Sequence, residues 1–392
     1  MIYLDYNATT PTDKRVVEAM IPFYTEQFGN PSSLYTAGQE AKRAVDQARK
    51  KVADLIHASE KEIIFTSGGT ESDNLVLRGV ARAQKKKGNH IIISSIEHHA
   101  VLNTAKALEN EGYSVTYLLV NENGQVDPQD LKRAIRPETI LVSIMHANNE
   151  SGVMEPIREL AVIAHERGVL FHTDAVQTVG KLPIDVADLG VDFLSASAHK
   201  FYGPKGIGFL YAKKGVRFTP QVVGGSHEGG KRAGTENVPA IVGLGVAVEI
   251  AATEQKEEMI RGRKLRDDFE EALLSAIPEV RIVSRGVERL YNTSLVLVKY
   301  VEGESMLLYL DFEGIAVSTG SACSSSSLEP SHVLLSCGYP EEAAHGSIRF
   351  SLGKFTTSYH LKKVLIVFPP IVEKLRKMSP LRDVYSYPPQ AD

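Results

Sequence analysis

Five short polar clusters each follow an apolar run of strand character. Ser67-Gly68-Gly69-Thr70-Glu71 follows EIIFT at 62–66, and Ile96-Glu97-His98-His99 follows HIIISS at 90–95. His146-Ala147-Asn148-Asn149-Glu150 follows TILVSIM at 139–145, and Asp174-Ala175-Val176-Gln177 follows VLFHT at 169–173. Ser197-Ala198-His199-Lys200 follows DFLSA at 192–196 and leads into Gly203-Pro204-Lys205-Gly206. In an open α/β sheet, ligands bind beyond the carboxyl ends of the strands, so five such clusters predict one polar rim and one active site.

Lys200 precedes a Gly-Pro-Lys-Gly turn, where a desolvated lysine can form a Schiff base with a carbonyl. Asp174 is placed to pair with a protonated pyridine nitrogen. Taken alone, 67–71 reads as a tight turn with Thr70 as helix N-cap. Beside the other clusters it reads as a phosphate cradle, because glycines admit close backbone approach and a helix N-terminus presents free N–H groups. A lysine, an acid and a phosphate cradle are together what pyridoxal phosphate requires. The histidines at 98, 99, 146, 172 and 199 raise the rival of a metal site, but no pair has HExxH spacing and the two cysteines form no CxxC, so no metal is assigned. Cys323 stands among small residues, Ser318-Thr-Gly-Ser-Ala-Cys-Ser-Ser-Ser-Ser327, and is predicted to be an exposed, mobile nucleophile; an inert loop cysteine is the alternative. Cys337, after Val333-Leu-Leu-Ser336, is predicted to be a small core residue.

The elements that must position these groups alternate. Seven apolar runs (the five above with SVTYLLV at 114–120 and GIGFLY at 206–211) predict strands. Between them, 41–56, 70–83, 101–111 and 157–167 place small and aliphatic residues on one face, predicting helices. The expected fold class is α/β, a mostly parallel seven-stranded sheet flanked by helices. After about residue 256 the pattern changes to a charged helix at 259–274, strands near 280–284, 294–298 and 315–318, and helices near 304–311 and 358–378. That predicts a smaller α+β domain: 15–256 as the large cofactor-binding domain, and 1–14 with 257–392 as the small domain carrying the cysteine loop. The polar, proline-containing tail 379–392 reads as a surface terminus.

The chain has 392 residues, 43% hydrophobic and 23% charged, with a net charge of −4 from 44 basic and 48 acidic residues. That argues against disorder and against nucleic-acid binding. Lys85-Lys86-Lys87 beside Gly88 reads as a solvated helix end. Two cysteines exclude a disulfide scaffold and favour a reducing compartment. The N-terminus reads as no signal peptide, and no apolar run reaches the ~18 residues of a membrane span. The expectation is a cytoplasmic protein without membrane or nucleic-acid partners.

The assembled motifs resemble the pyridoxal-phosphate cysteine desulfurases of the NifS/IscS type, and do so over nearly the whole chain. The carriers are Tyr3-Leu-Asp-Tyr-Asn-Ala-Thr-Thr-Pro11, Phe28-Gly-Asn-Pro-Ser-Ser33, Thr66-Ser-Gly-Gly-Thr-Glu-Ser72, Glu97-His98, Met145-His-Ala-Asn-Asn-Glu150, His172-Thr-Asp-Ala-Val-Gln177, Ser197-Ala-His-Lys200, Arg232-Ala-Gly-Thr235, Gly320-Ser-Ala-Cys323 and Ser347-Ile-Arg-Phe-Ser-Leu-Gly353. Leu328-Glu-Pro-Ser331 resembles the NifS/IscS branch more than the SufS-like one.

The resemblance implies a fold-type I enzyme that converts L-cysteine to L-alanine. It implies Lys200 as the Schiff-base lysine, His98 as the residue stacked on the cofactor and handling protons, Asp174 as the pyridine-nitrogen partner, and Gln177 near the phenolic oxygen. Gly69, Thr70, Ser197 and His199 would bind the phosphate, with Thr235 reaching it from the other subunit of a homodimer. Asn149 and Arg349 would hold the substrate carboxylate. Cys323 would receive the sulfur as a persulfide, for iron–sulfur cluster assembly or other sulfur transfer through an acceptor or scaffold protein. Gly69 stands where many relatives carry alanine, and the tail does not match the end with which housekeeping members dock a scaffold. The alternatives are a selenocysteine lyase, a class-V aminotransferase or a non-catalytic binding protein on the same fold. Cys323 separates the first reading from the transaminases, and Lys200 argues against the last.

Overall fold

The computed structural model describes residues 1–320, 329–380 and 386–387; Cys323, with the rest of 321–328, and most of the tail lie outside the described residues. After the two-residue β1 (Ile2–Tyr3) come β2 (Ile63–Thr66), β3 (His90–Ser94), β4 (Ser114–Leu118), β5 (Thr139–Ser143), β6 (Leu170–Asp174), β7 (Phe193–Ser197) and β8 (Gly208–Ala212). β2 to β8 form one sheet in the order β2-β8-β7-β6-β5-β3-β4. Only β8 runs against its neighbours. All seven predicted strands are present, with ends moved by one or two residues.

Continuous apolar runs are what a sheet buried on both faces requires. Ile91 and Ile93 join the core beneath helices Gly69–Ala83 and His99–Asn110, while Ile92 points to the opposite core. Helices Thr36–Leu55 and Ile157–Glu166 cover that second face. Lys85 to Lys87 lie exposed just past the end of a helix, as expected.

The smaller sheet has β10 (Thr293–Val298) between β9 (Val280–Ile282) and β12 (Ser347–Ser351), all antiparallel, and β11 (Ile315–Ala316) pairs parallel with β1. Phe269, Val296, Met306, Phe350 and Phe368 form a core of their own here.

One helix differs from expectation. It runs from Val238 to Ala276, not from 259, and is continuous through residue 256. Its first part packs in the large core and its last part, with Phe269 and Leu273, in the small one. By length and composition it could cross a membrane, but half of its apolar window is buried inside the protein, as in the core helix of a globular domain.

The N-terminal segment joins the two sheets. β1 belongs with β11, and a few residues later Thr10 donates its backbone N–H to the His199 carbonyl at 3.0 Å and Asp13 donates to the Tyr202 carbonyl at 2.9 Å. Tyr202 holds φ of 65°, a conformation costly for a side-chain-bearing residue, two positions after Lys200.

Candidate active site

The carboxyl ends of the parallel strands open on a cavity of about 310 Å³, within the range of small-molecule sites. Its walls bring together Gly69, Thr70, His98, Asn149, Asp174, Gln177, Ser197, His199, Lys200 and Arg349. These are the predicted site residues except two. Thr235 is exposed and does not line the cavity. Cys323 lies outside the described residues.

The expected phosphate cradle is a matter of backbone. Gly68, not Thr70, is the residue at the N-cap, and no side chain caps this helix. The first intrahelical bond runs from Ser72 N–H to Gly68 O at 3.1 Å, so the N–H groups of 69 to 71 have no intrahelical acceptor. Gly68 has φ of 148°, open in practice only to glycine. A Cβ on Gly69 would lie 2.6 Å from Val176 Cγ2. Gly68 therefore turns the chain so that the helix end meets the strand ends, while a Cβ at 69 would require the Val176 side chain to shift; the N–H groups and helix dipole there suit a phosphate.

Asp174 is the last residue of β6 and is buried. Its Oδ1 accepts the Val176 N–H at 2.9 Å. Burial pushes its pKa up, opposed by that N–H and by Lys200. A second buried carboxyl, Asp73, shares the cavity wall, and burial and Asp174 push it well above the carboxylate range. Its Oδ1 is buried with no hydrogen-bond partner. Two buried acids with so little cationic compensation fit a ligand that brings its own positive charge, such as a pyridinium.

Lys200 ends a short turn, Ala198–Lys200, directly after β7. Its Nζ donates to the backbone carbonyls of Asn7 at 2.6 Å and Ala8 at 2.9 Å. It is the one lysine lining this cavity among the described residues. His98 caps helix His99–Asn110, its Nδ1 accepting the Ala100 N–H at 3.1 Å. Burial, Lys200 and two histidines lower its pKa to about 4. The ring is thus neutral near pH 7 and carries its proton on Nε2. Glu97 positions it by joining two strand ends, accepting from Ser94 Oγ at 2.5 Å and from Met145 N–H at 2.8 Å.

Arg349, in the middle of β12, is 2% exposed. It donates to the Asn149 carbonyl at 2.9 Å and to Asp5 Oδ1 at 2.7 Å, and its Nε is buried with no partner. Asn149 is set by its neighbour Asn148, whose Oδ1 accepts the N–H groups of Glu150 and Ser151 at 2.9 and 3.0 Å. Ser318 and Arg349 exchange backbone hydrogen bonds at 3.3 and 2.7 Å, so the strand bearing this guanidinium also anchors the chain leading towards Cys323.

Three of the remaining histidines are held by hydrogen bonds within the protein. His172 is buried between Ser143 Oγ at 2.8 Å and Ser195 Oγ at 2.9 Å, and His146 bonds Thr178 Oγ1 at 3.0 Å. His199 bonds Thr9 Oγ1 at 3.1 Å, and burial with nearby Lys200 lowers its pKa to about 4. Among the described residues no group of three histidine, cysteine or acidic side chains is placed to hold a metal. Cys337 is buried and burial pushes its thiol up to about 12, as a core cysteine should behave.

Three site residues have no individual role in the sequence reading. Asn7 lies within the recognised N-terminal motif, and its backbone oxygen accepts from both Lys200 and Gln177. Asp73 lies on the helix that the cradle opens. Lys181 lies one turn beyond Gln177, and its only sequence signal is that four-residue spacing.

Residues 2–364 match the family described as aminotransferase class-V. The chain is 56% identical over 380 residues to the cysteine desulfurase IscS of Methanosarcina thermophila, covering 97% of this chain and 94% of that one. It is also 56% identical to the protein of the same name from Dictyoglomus turgidum, covering 97% of each. A solved NifS-like protein superposes with a TM-score of 0.90 at 40% identity, covering 95% of this chain and 100% of that one.

Proposed function

The chain belongs to the class-V aminotransferases and, among them, to the cysteine desulfurases, which depend on pyridoxal phosphate; from that premise we propose that it converts L-cysteine to L-alanine and takes the sulfur onto Cys323. The observation that carries this reading is the convergence of Lys200, Asp174, His98, Arg349 and a glycine-opened helix end on one cavity.

Gly69, Thr70, Ser197 and His199 would hold the phosphate, Asp174 the ring nitrogen and Lys200 the aldehyde carbon. When bound, the cofactor draws electron density from the carbon bearing the substrate's amino group. Asp174 keeps a proton on the ring nitrogen, the condition for that withdrawal. Arg349 and Asn149 receive the substrate carboxylate. Lys200 Nζ and neutral His98 are the groups able to accept and return protons within the cavity. The Cys323 thiolate attacks the substrate sulfur. A sulfur–sulfur bond forms as the carbon–sulfur bond breaks, and a proton captures the electron pair left on carbon. The products are alanine and the Cys323 persulfide, with no external oxidant or reductant. Release of alanine from L-cysteine, matched by sulfide when a thiol reductant is present, tests this reading; absence of alanine from cofactor-loaded protein would defeat it.

Arg349→Lys keeps the charge and loses the fork that engages a carboxylate through two N–H groups. KM for cysteine should rise roughly 10–100-fold, the worth of about one charge-assisted hydrogen bond, while cofactor absorbance is retained. An unchanged KM would remove Arg349 from the substrate site.

A homodimer is part of the proposal. Thr235 is exposed and outside its own cavity, and Ile21, Tyr24, Phe28, Leu34 and Tyr35 are exposed apolar side chains within one short stretch. A two-fold partner would cover such side chains and receive Thr235 in its phosphate site. Sedimentation should give a dimer under assay conditions, and an active monomer would contradict it. The sulfur acceptor, through which iron–sulfur assembly would be served, and a cytoplasmic setting are further parts of this reading. The relatives' names support the sulfur acceptor, and the cytoplasmic setting rests on the low cysteine count and a free thiol chemistry that suits a reducing compartment.

A further inference from the structure

Behind Lys200, on the side away from the large cavity, lies a second lysine. Lys181 is 6% exposed. Its Nζ donates to Gln177 Oε1 at 2.9 Å and approaches Asn7 Oδ1 at 3.4 Å. Gln177 Nε2 in turn donates to the Asn7 backbone oxygen at 3.0 Å, the same oxygen that receives Lys200 Nζ at 2.6 Å. Asn7 is itself fixed on all sides: Oδ1 accepts from Asn292 Nδ2 at 3.1 Å, and Nδ2 donates to Thr293 Oγ1 at 2.8 Å and to the Asn149 carbonyl at 3.1 Å.

We propose that Lys181 is a positioning residue for the cofactor site, fixing the Gln177 carboxamide so that its N–H edge, not its oxygen, serves the cavity beside Lys200. The inference rests on the pyridoxal-phosphate reading above.

An amide can present either edge, and its partners decide which. An ammonium only donates, and a neutral amine still has two N–H groups, one for each of the two oxygens beside it, Gln177 Oε1 and Asn7 Oδ1. Lys181 therefore holds Oε1 on the protein side. The Asn7 carbonyl only accepts, so it requires Nε2. Both partners select one rotamer, and one Nε2 hydrogen is left for the cavity that Gln177 lines. That hydrogen suits an oxyanion such as the cofactor's phenolic oxygen.

The electrical surroundings agree. Burial, with Lys200 and Arg349 facing it, lowers the pKa of Lys181 to about 7. His199 also faces it, and is neutral near pH 7. Glu254, Glu258 and Lys354 line the small cavity of about 60 Å³ that Lys181 shares with Lys200, as do Tyr6, Tyr202 and Tyr291. None of these offers Gln177 Oε1 a hydrogen bond in place of Lys181, so Lys181→Met leaves that oxygen buried without a donor and releases the amide.

The test is the pH titration of the visible absorbance of the bound cofactor. A donor to the phenolic oxygen favours its ionised form, so Lys181→Met should raise the spectral pKa by about one unit, the worth of one hydrogen bond to a charged group. Gln177→Leu should raise it similarly, and Lys181→Met in the Gln177→Leu background should add little. Lys181→Gln, which keeps a donor and loses the charge, should recover part of the shift. It also replaces Lys181→Met in the cycle if that variant does not fold. A titration unchanged by loss of Lys181, or a shift equally large without Gln177, overturns the assignment. A parent protein that takes up no cofactor overturns the reading beneath it instead.

Discussion

Lys200→Ala is expected to lose the covalent attachment of pyridoxal phosphate and to lower alanine formation by at least a thousandfold. In the proposed reaction, covalent capture of the cofactor and proton transfer at the substrate both depend on this amine, and a positioned acid–base group alone contributes about 10²–10⁴-fold. The geometry allows no substitute. Lys181 is buried and engaged with Gln177, and it does not line the large cavity. Borohydride treatment should trap the cofactor on Lys200 in the parent and leave the variant unlabelled. Because the glycine-opened helix end and Asp174 remain, the variant should still bind the cofactor reversibly. Label trapped at another lysine, or turnover near the parent level, would show the sheet rim to be misread.

Cys323→Ala should separate cofactor chemistry from sulfur transfer. The described residues that line the cavity, Lys200, Asp174 and Arg349 among them, all remain, so the variant should bind cofactor and cysteine as the parent does, and their spectra should match on mixing. Alanine release should fall by two orders of magnitude or more, since no thiolate remains to take the sulfur. Cys337 cannot replace it. That thiol is buried, and its ionisation is pushed up to about 12, so it is neither accessible nor nucleophilic near pH 7.

Much of the site was legible because each chemical group directly follows an apolar strand. Asp174 and Lys200 stand at the ends of β6 and β7, where the topology of a parallel sheet places ligands. The strands were legible for the same reason, being buried on both faces. What escaped did so for physical reasons. The first turns of helix Val238–Ala276 are apolar all round, with Gly243 and Gly245 among them. A Cβ on Gly245 would come within 2.8 Å of Ala48 Cβ. Glycine there permits close packing on helix Thr36–Leu55, but in a sequence it erases the amphipathic stripe. β12 escaped because a buried arginine interrupts its apolar pattern, and β1 because two residues carry no period. Asn7 acts through a backbone oxygen that any residue possesses, so its side chain announced only part of its role. Lys181 reads as an ordinary loop lysine until folding places it one turn beyond Gln177.

The most direct test is mass spectrometry of the cofactor-loaded enzyme after a single turnover with L-cysteine and no reductant. The account predicts one extra sulfur atom per chain, on the peptide containing Cys323, with one alanine released. Extra sulfur on Cys337, or alanine produced at the parent rate by Cys323→Ala, would contradict it.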